Sequence, residues 1–106
     1  QWCRVGDHAM IASQTAVDGD VIPFGIAVGN RARLTGINVI GLERRGFEAS
    51  RVATVRALYK DLFRGSGVFA DRLARASAFY AGDSMADEVF SFIADAGRNG
   101  ICQAHS

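Results

Sequence analysis

The sequence predicts a β-solenoid followed by α-helices: the last coils of a stack of short strands, closed by a C-terminal helical cap. In the opening segment, aliphatic residues recur every six positions, at Val5, Ile11 and Val17. From Ile37 onward, the apolar spacing changes to that of amphipathic helices. We therefore expect terminal hexapeptide-repeat coils over residues 1–36 and an α-helical domain over residues 37–106.

A triangular coil explains the period of six. In such a coil, one aliphatic side chain per face points to the axis, and small residues let the chain turn between faces. The residues that stand four places after the aliphatic ones are Ala9, Thr15 and Val21. An ordinary half-buried strand fits less well, because strict alternation would require apolar residues at Asp7 and Ser13. One coil cannot bury both of its ends, so we expect further coils upstream or from other chains.

The repeat is interrupted after Val21. The run Ile-Pro-Phe-Gly at residues 22–25 breaks the period, and the apolar residues 26–28 predict a short buried strand. Gly29-Asn30 predicts a turn. This segment is expected to be the last partial coil.

Four helices are expected after residue 37. Apolar spacing and terminating glycines predict them at residues 39–45, 49–64, 69–80 and 84–97. Ser84 is expected to be the N-cap of the last helix, with Asp87 in the place of a capping-box acid. Amphipathic helices in this place would seal the open end of the solenoid.

The composition excludes several classes of partner. The chain carries 12 basic and 11 acidic residues, so its net charge of +1 gives no overall attraction to nucleic acid or to an anionic membrane. Cys3 and Cys102 lack the spacing of metal ligands and predict thiols rather than a disulfide or a zinc site. No stretch approaches the ~20 apolar residues that cross a bilayer. We expect no metal, no nucleic-acid partner, no transmembrane segment and a cytoplasmic location.

Five motifs together resemble the UDP-N-acetylglucosamine acyltransferase family. The most specific is Gly-Leu-x-Arg-Arg-Gly-Phe at residues 41–47, which follows a Gly-Asn-x-Ala turn at residues 29–32. The other three are the coil at residues 5–11, its exit at residues 20–24 and the helical stretch at residues 58–64. The resemblance covers nearly the whole chain.

The resemblance implies a left-handed parallel β-helix that assembles as a homotrimer, with active sites in the clefts between subunits. It also implies the first step of lipid A synthesis, the transfer of an (R)-3-hydroxyacyl group from acyl carrier protein to the 3-hydroxyl of UDP-N-acetylglucosamine. The resemblance further implies that the general base is a histidine of an earlier coil. Neither histidine of this chain matches it, since His8 stands in the wrong coil and His105 at the C-terminal end. No cofactor is implied beyond the phosphopantetheine that the donor carries.

The resemblance also assigns residues that would bind the UDP-sugar. Arg44 and Arg45 match the nucleotide-binding arginines of the family, and guanidinium groups can offer forked donors to a pyrophosphate. Asn38 matches a residue that contacts the nucleotide, and Gln1 matches a glutamine close to the acceptor sugar. The alternatives are a solvated arginine pair and, for Asn38, a helix N-cap.

Ser13 and Arg31 match positions of the groove for the acyl chain and the pantetheine arm. A small residue at position 13 would leave room for a long tail, whereas a large one would shorten it. The alternatives are an outward coil position for Ser13 and a plain surface arginine for Arg31. Ile40 departs from the family, because it stands where a member of the family has an acid that contacts the nucleotide.

Two other functions remain open at this point. The segment could be a non-catalytic capping and trimerisation module whose helices only seal a solenoid. It could also belong to another hexapeptide transferase, such as a coenzyme A-dependent acetyltransferase.

Overall fold

Three short strands and four helices form the part of the chain that the computed structural model describes, which comprises residues 3–17, 19–29, 31–95 and 100–104. The strands β1, β2 and β3 are Met10–Ile11, Gly25–Val28 and Arg33–Ile37. The helices α1 to α4 are Val39–Arg44, Ala49–Phe63, Phe69–Phe79 and Ser84–Ala94. The sheet has the order β1-β2-β3, with β1 parallel and β3 antiparallel to β2.

Parallel backbone pairs in the first part of the chain join residues that lie 16 positions apart. Val5 pairs with Val21, and the strand β1 pairs with β2 so that Met10 lies opposite Ile26. Further along, the N–H of Ala32 donates to the carbonyl of Ala16 at 2.8 Å. One turn of the chain therefore lies directly beside the next at three successive places.

The six-residue period appears in the backbone conformation between these pairs. His8 and Gln14, six positions apart, both adopt left-handed conformations, with φ of 62° and 60°. Phe24, with φ of 69°, occupies the same place in the following turn as His8. Few non-glycine residues adopt such angles, and each one here bends the chain between two neighbouring pairing segments.

The aliphatic residues of the repeat differ in burial between the two turns. Val21 and Ala27 are fully buried, whereas their partners Val5 and Ile11 are 49% and 36% exposed. Within the described residues, β1 has a strand neighbour on one side only, so the apolar surface of the first turn is covered from that side alone.

Strand β3 and the segment 100–104 are features that sequence reasoning missed. The predicted strand at residues 26–28 is confirmed and begins one residue earlier, and β3 then folds back along it as an antiparallel hairpin. The segment 100–104 also returns to this region, where Ile101 pairs with Asp20 and Ala104 pairs with Leu34. Both pairings satisfy backbone groups that would otherwise be left at an open edge.

The helices lie close to the predicted bounds, with one correction at α4. The N-cap is Asp83 and not Ser84, because the carboxylate of Asp83 accepts the N–H of Ala86 at 2.9 Å. An aspartate caps as well as a serine, so the residue one place earlier takes the role. Asp87 is therefore not the third residue of a capping box. The predicted end of this helix at Gly97 lies outside the described residues.

One hydrophobic core joins strands and helices. It contains Val21, Ile22, Phe24 and Leu34 from the β part and Leu42, Val55, Leu58, Leu62 and Val89 from the helices, all of them at most 1% exposed. The predicted division between residues 36 and 37 stays a prediction, and side chains pack across it. Cys3 and Cys102 are thiols that donate to the carbonyls of Val17 and Ala32. None of the described helices is long and apolar enough to cross a membrane.

Candidate functional site

A cleft of about 710 Å³ lies between the sheet and α1. Three of the residues predicted from the sequence, Asn38, Arg44 and Arg45, line it together. The remaining lining residues are Ala9, Met10, Ile26, Ile37, Val39, Ile40 and Gly41. The cleft therefore combines a largely apolar wall with two cationic side chains and one amide.

Asn38 fixes the start of α1. Its side-chain oxygen accepts the N–H of Gly41 at 3.2 Å, and its side-chain nitrogen donates to the carbonyl of His8 at 3.1 Å. Its backbone N–H donates to the carbonyl of Phe24 at 2.7 Å, and the residue is only 7% exposed. The N-cap alternative is confirmed. A contact between Asn38 and a nucleotide stays a prediction.

Gly41 is a part of the site that sequence reasoning did not single out. A Cβ atom at this position would lie 2.4 Å from the side-chain nitrogen of Asn38, a distance that no real contact allows. The N-cap geometry of Asn38 therefore requires glycine three residues later. The spacing Asn-x-x-Gly at the start of a predicted helix was the signal that could have revealed it.

Arg44 and Arg45 stand at the end of α1, which terminates at Gly46 with φ of 87° as predicted. The N–H of Phe47 donates to the carbonyl of Leu42 at 3.1 Å and closes the helix end. Both arginine side chains are exposed, and within the described part of the chain neither guanidinium makes a hydrogen bond or an ion pair. Their donors are available for a ligand, and bidentate recognition of phosphate or carboxylate is the chemistry that arginine favours.

Ile40 increases the apolar character of the cleft. It is 66% exposed and lines the cleft beside Val39. With isoleucine at this position, the described lining residues include no carboxylate. The positive charges of the arginine pair are therefore not neutralised within the cleft, which favours an anionic ligand.

Ser13 and Arg31 do not line this cleft. Both are exposed, Ser13 in the turn after β1 and Arg31 in the turn before β3. Gln1 lies outside the described residues. The structure therefore brings together three of the four residues predicted to bind the UDP-sugar. It places the two residues predicted for the acyl groove elsewhere on the coil.

Two groups whose pKa values are raised lie away from the cleft. Burial, together with the hydrogen bond and the charge of Asp61, raises the pKa of Tyr80 to about 12. The hydroxyl of Tyr80 donates to the Asp61 carboxylate at 2.6 Å. Burial and then the neighbouring Asp7 raise the pKa of Glu88 above its ordinary value. Neither Tyr80 nor Glu88 lines the cleft.

A short capped helix here presents two unengaged arginines to an apolar cleft, an arrangement whose chemistry suits a small anionic molecule. Known proteins with the same arrangement of strands and helices identify the family. A family model described as UDP N-acetylglucosamine O-acyltransferase, domain 2, matches residues 20–102. The chain belongs to this family.

The relatives are named acyl-[acyl-carrier-protein]–UDP-N-acetylglucosamine O-acyltransferases. The chain is 37% identical over 102 residues to the protein of Bartonella henselae, a match that covers 96% of this chain and 37% of the relative. It is 43% identical over 83 residues to the protein of Azorhizobium caulinodans, which covers 78% of this chain and 31% of the relative. The chain thus spans about a third of the length of these curated relatives.

Solved structures show the same fold. The UDP-N-acetylglucosamine acyltransferase of Francisella novicida superposes with a TM-score of 0.87 at 31% identity, over 96% of this chain and 37% of that one. The corresponding enzyme of Arabidopsis gives a TM-score of 0.84 at 31% identity, over 97% of this chain and 39% of that one.

Proposed function

We propose that this chain is the nucleotide-binding portion of an acyltransferase that acts on UDP-N-acetylglucosamine. The observation that carries the proposal is that Asn38, Arg44 and Arg45 meet at one cleft, in a chain that belongs to this family. The reaction is the transfer of an (R)-3-hydroxyacyl group from acyl carrier protein to the 3-hydroxyl of the sugar. It is the first step of lipid A synthesis.

The arginine pair binds the pyrophosphate in this proposal. Two guanidiniums supply forked, charge-assisted donors to phosphate oxygens, and the described lining offers no carboxylate that would compete for them. The apolar wall around Ile26 and Ile40 offers a surface on which the flat uracil ring can pack. The general base lies outside this segment, in an earlier coil. Ser13 and Arg31 belong to the groove for the acyl chain and the pantetheine arm.

The finer architecture that we propose is the end of a left-handed parallel β-helix in a homotrimer. Three points of contact at a constant offset of 16 residues support stacked coils. The exposed side chains of Val5, Met10 and Ile11 support a further coil on the open side of β1, because an uncovered apolar patch of this kind is costly in water. The enzyme needs no cofactor of its own and works in the cytoplasm.

The proposal is tested by the affinity of the full-length protein for UDP, measured by calorimetry. Arg44→Ala and Arg45→Ala are each expected to weaken binding about tenfold or more, the effect of losing charged hydrogen bonds to phosphate. Arg56→Ala is the matched control, because Arg56 is an exposed arginine of α2 that does not line the cleft. If both cleft variants bind UDP as tightly as the parent protein, the binding role is wrong and the capping and trimerisation module is the better description.

A further inference from the structure

We propose that His8 is a positioning residue that holds α1 at both ends and so sets where Arg44 and Arg45 point. The inference rests on the proposed nucleotide role of these arginines. His8 is one of the two histidines of the chain and has no part in the function as described so far. Its contacts converge on the helix that carries the arginine pair.

The backbone of His8 holds the start of α1. Its carbonyl accepts the side-chain nitrogen of Asn38 at 3.1 Å, while the side-chain oxygen of Asn38 accepts the N–H of Gly41 at 3.2 Å. The amide of Asn38 thus connects the turn at His8 to the first turn of the helix. The Asn38 side chain fills the space that a Cβ atom at position 41 would occupy, so this connection is compatible with glycine there.

The ring of His8 holds the other end. It meets the ring of Phe47 edge-on, with 5.2 Å between centroids and 78° between planes. Phe47 lies three residues beyond the last residue of α1 and is joined to the helix by the hydrogen bond from its N–H to the carbonyl of Leu42. On its other side, the His8 ring stacks on the buried ring of Phe24 at 5.9 Å and 9°. The ring therefore lies between the core and the end of α1.

A helix of six residues needs such external support. Isolated helices of this length are unstable in water, so its position is set by the contacts at its ends. His8 keeps its carbonyl and ring in place with a left-handed backbone at φ of 62°, a conformation that costs free energy for a non-glycine residue. His8 does not line the cleft, although its neighbours Ala9 and Met10 do. It therefore acts through α1 and not on the ligand.

Three variants of the full-length protein distinguish the effect of the His8 ring from the effect of its left-handed backbone conformation. His8→Asn keeps a residue that tolerates the left-handed conformation but removes the ring. His8→Phe restores a ring without the imidazole, and the left-handed Phe24 shows that a phenylalanine fits this conformation in this fold. Gln14→Asn is the matched control, because Gln14 is exposed, has φ of 60° six positions after His8, and makes no described hydrogen bond to α1.

Hydrogen exchange without ligand and UDP calorimetry are the two measurements. In His8→Asn, we expect the amides of residues 41–47 to exchange faster while those of α2 do not change, and UDP affinity to fall about three- to tenfold, the worth of one aromatic contact. His8→Phe should restore both, and Gln14→Asn should alter neither.

Three results overturn the inference. The first is that His8→Asn leaves the exchange of the α1 amides unchanged. The second is that exchange in α2 rises equally, which indicates general destabilisation. The third is that His8→Phe does not restore the parental exchange rates and UDP affinity. Loss of the proposed function looks different, because then Arg44→Ala and Arg45→Ala bind UDP normally. In that case the α1 exchange rates still decide whether His8 holds the helix.

Discussion

Two regions of this molecule use arginine in opposite ways. Near the N-terminal segment, the Arg4 guanidinium donates to the Asp20 carboxylate at 3.1 Å and to the carbonyl of Phe92 at 2.8 Å, and it lies 4.1 Å above the Phe92 ring. At α1, the Arg44 and Arg45 guanidiniums contact no acid or carbonyl within the described residues. An arginine whose donors are occupied by the protein stabilises the fold. An arginine whose donors the protein leaves unoccupied can bind a ligand.

The same contrast holds within the helices. Arg72 donates to the carbonyls of Leu62 and Gly67, which lie at and just beyond the end of α2, and its guanidinium lies 5.5 Å from the centre of the Phe69 ring. It thereby satisfies backbone groups that a helix end leaves without partners. The difference between these arginines and the pair on α1 can be measured, because the first group should affect stability and the second only binding.

The largest expected loss of stability comes from replacing Asp20, the buried partner of Arg4. Asp20 is 1% exposed and accepts both the backbone N–H and the guanidinium of Arg4. Asp20→Ala should lower the free energy of unfolding by about 2–3 kcal/mol, because it removes the acceptor of the Arg4 backbone N–H and of its guanidinium, which is 37% exposed and can be hydrated in part. Urea denaturation measures the loss, and the folded protein should bind UDP with parental affinity.

Asp71→Ala is the control for Asp20→Ala, because Asp71 is an exposed acid in the first turn of α3 and should cost well under about 1 kcal/mol. If Asp20→Ala proves as mild as Asp71→Ala, the region around Arg4 contributes no more than an ordinary surface ion pair. The proposal that the Arg4 region, unlike the arginine pair of α1, stabilises the fold would then be wrong.

Local sequence signals predicted the four helices and the short strand at residues 26–28. Apolar spacing and terminating glycines depend on neighbouring residues, and they give the bounds of α1, α2 and α3 and the start of α4 within about one residue. The segment 100–104 was missed because its pairing partners, Asp20 and Leu34, lie far away in sequence. Strand β3 was missed although it pairs with its sequence neighbour β2, because residues 33–37 have no strong apolar period of their own. The partnership of Arg4 and Asp20 is equally nonlocal and carries no sequence signal.

The candidate site also has a part that is local in sequence and a part that is not. The motif at residues 41–47 and Asn38 are contiguous in sequence, so the resemblance to a family located them, and the structure places the arginines and Asn38 on one cleft. His8 contacts α1 across a separation of 30 residues, so nothing near it in sequence indicates the contact. The groove assigned to Ser13 and Arg31 stays a prediction.

A smaller effect is expected at Arg72. Arg72→Ala removes the hydrogen bonds to the end of α2 and the contact with Phe69, which should lower the free energy of unfolding by about 1–2 kcal/mol. UDP affinity should stay at the parental value. Arg45→Ala should do the reverse, with weaker UDP binding and unchanged stability, so thermal denaturation and calorimetry on the two variants form a complete test. Equal behaviour of the two variants in both measurements would contradict the division.

The smallest expected change in stability comes from replacing Glu88, which borders a surface depression together with Arg4 and Asp7. Burial, followed by the charge and the hydrogen bond of Asp7, raises the pKa of Glu88. A carboxyl whose pKa is raised in the folded protein binds its proton more tightly there than in the unfolded chain. Its contribution to stability is therefore present below the unfolded pKa and is lost as pH rises through the folded pKa.

Glu88→Gln cannot ionise and should keep this contribution at neutral pH. Relative to the parent protein, the gain in stability should grow as the pH is raised from about 4, the ordinary pKa of a glutamate, and should stay well under 1 kcal/mol because the side chain is partly exposed. Urea denaturation across this range measures the gain, and Asp71→Asn controls for the loss of one negative charge elsewhere. A gain that does not depend on pH would mean that the proximity of Asp7 and Glu88 has no energetic consequence. At each pH, the variant should bind UDP as tightly as the parent protein, since the charges of this region act on folding and those of α1 act on the ligand.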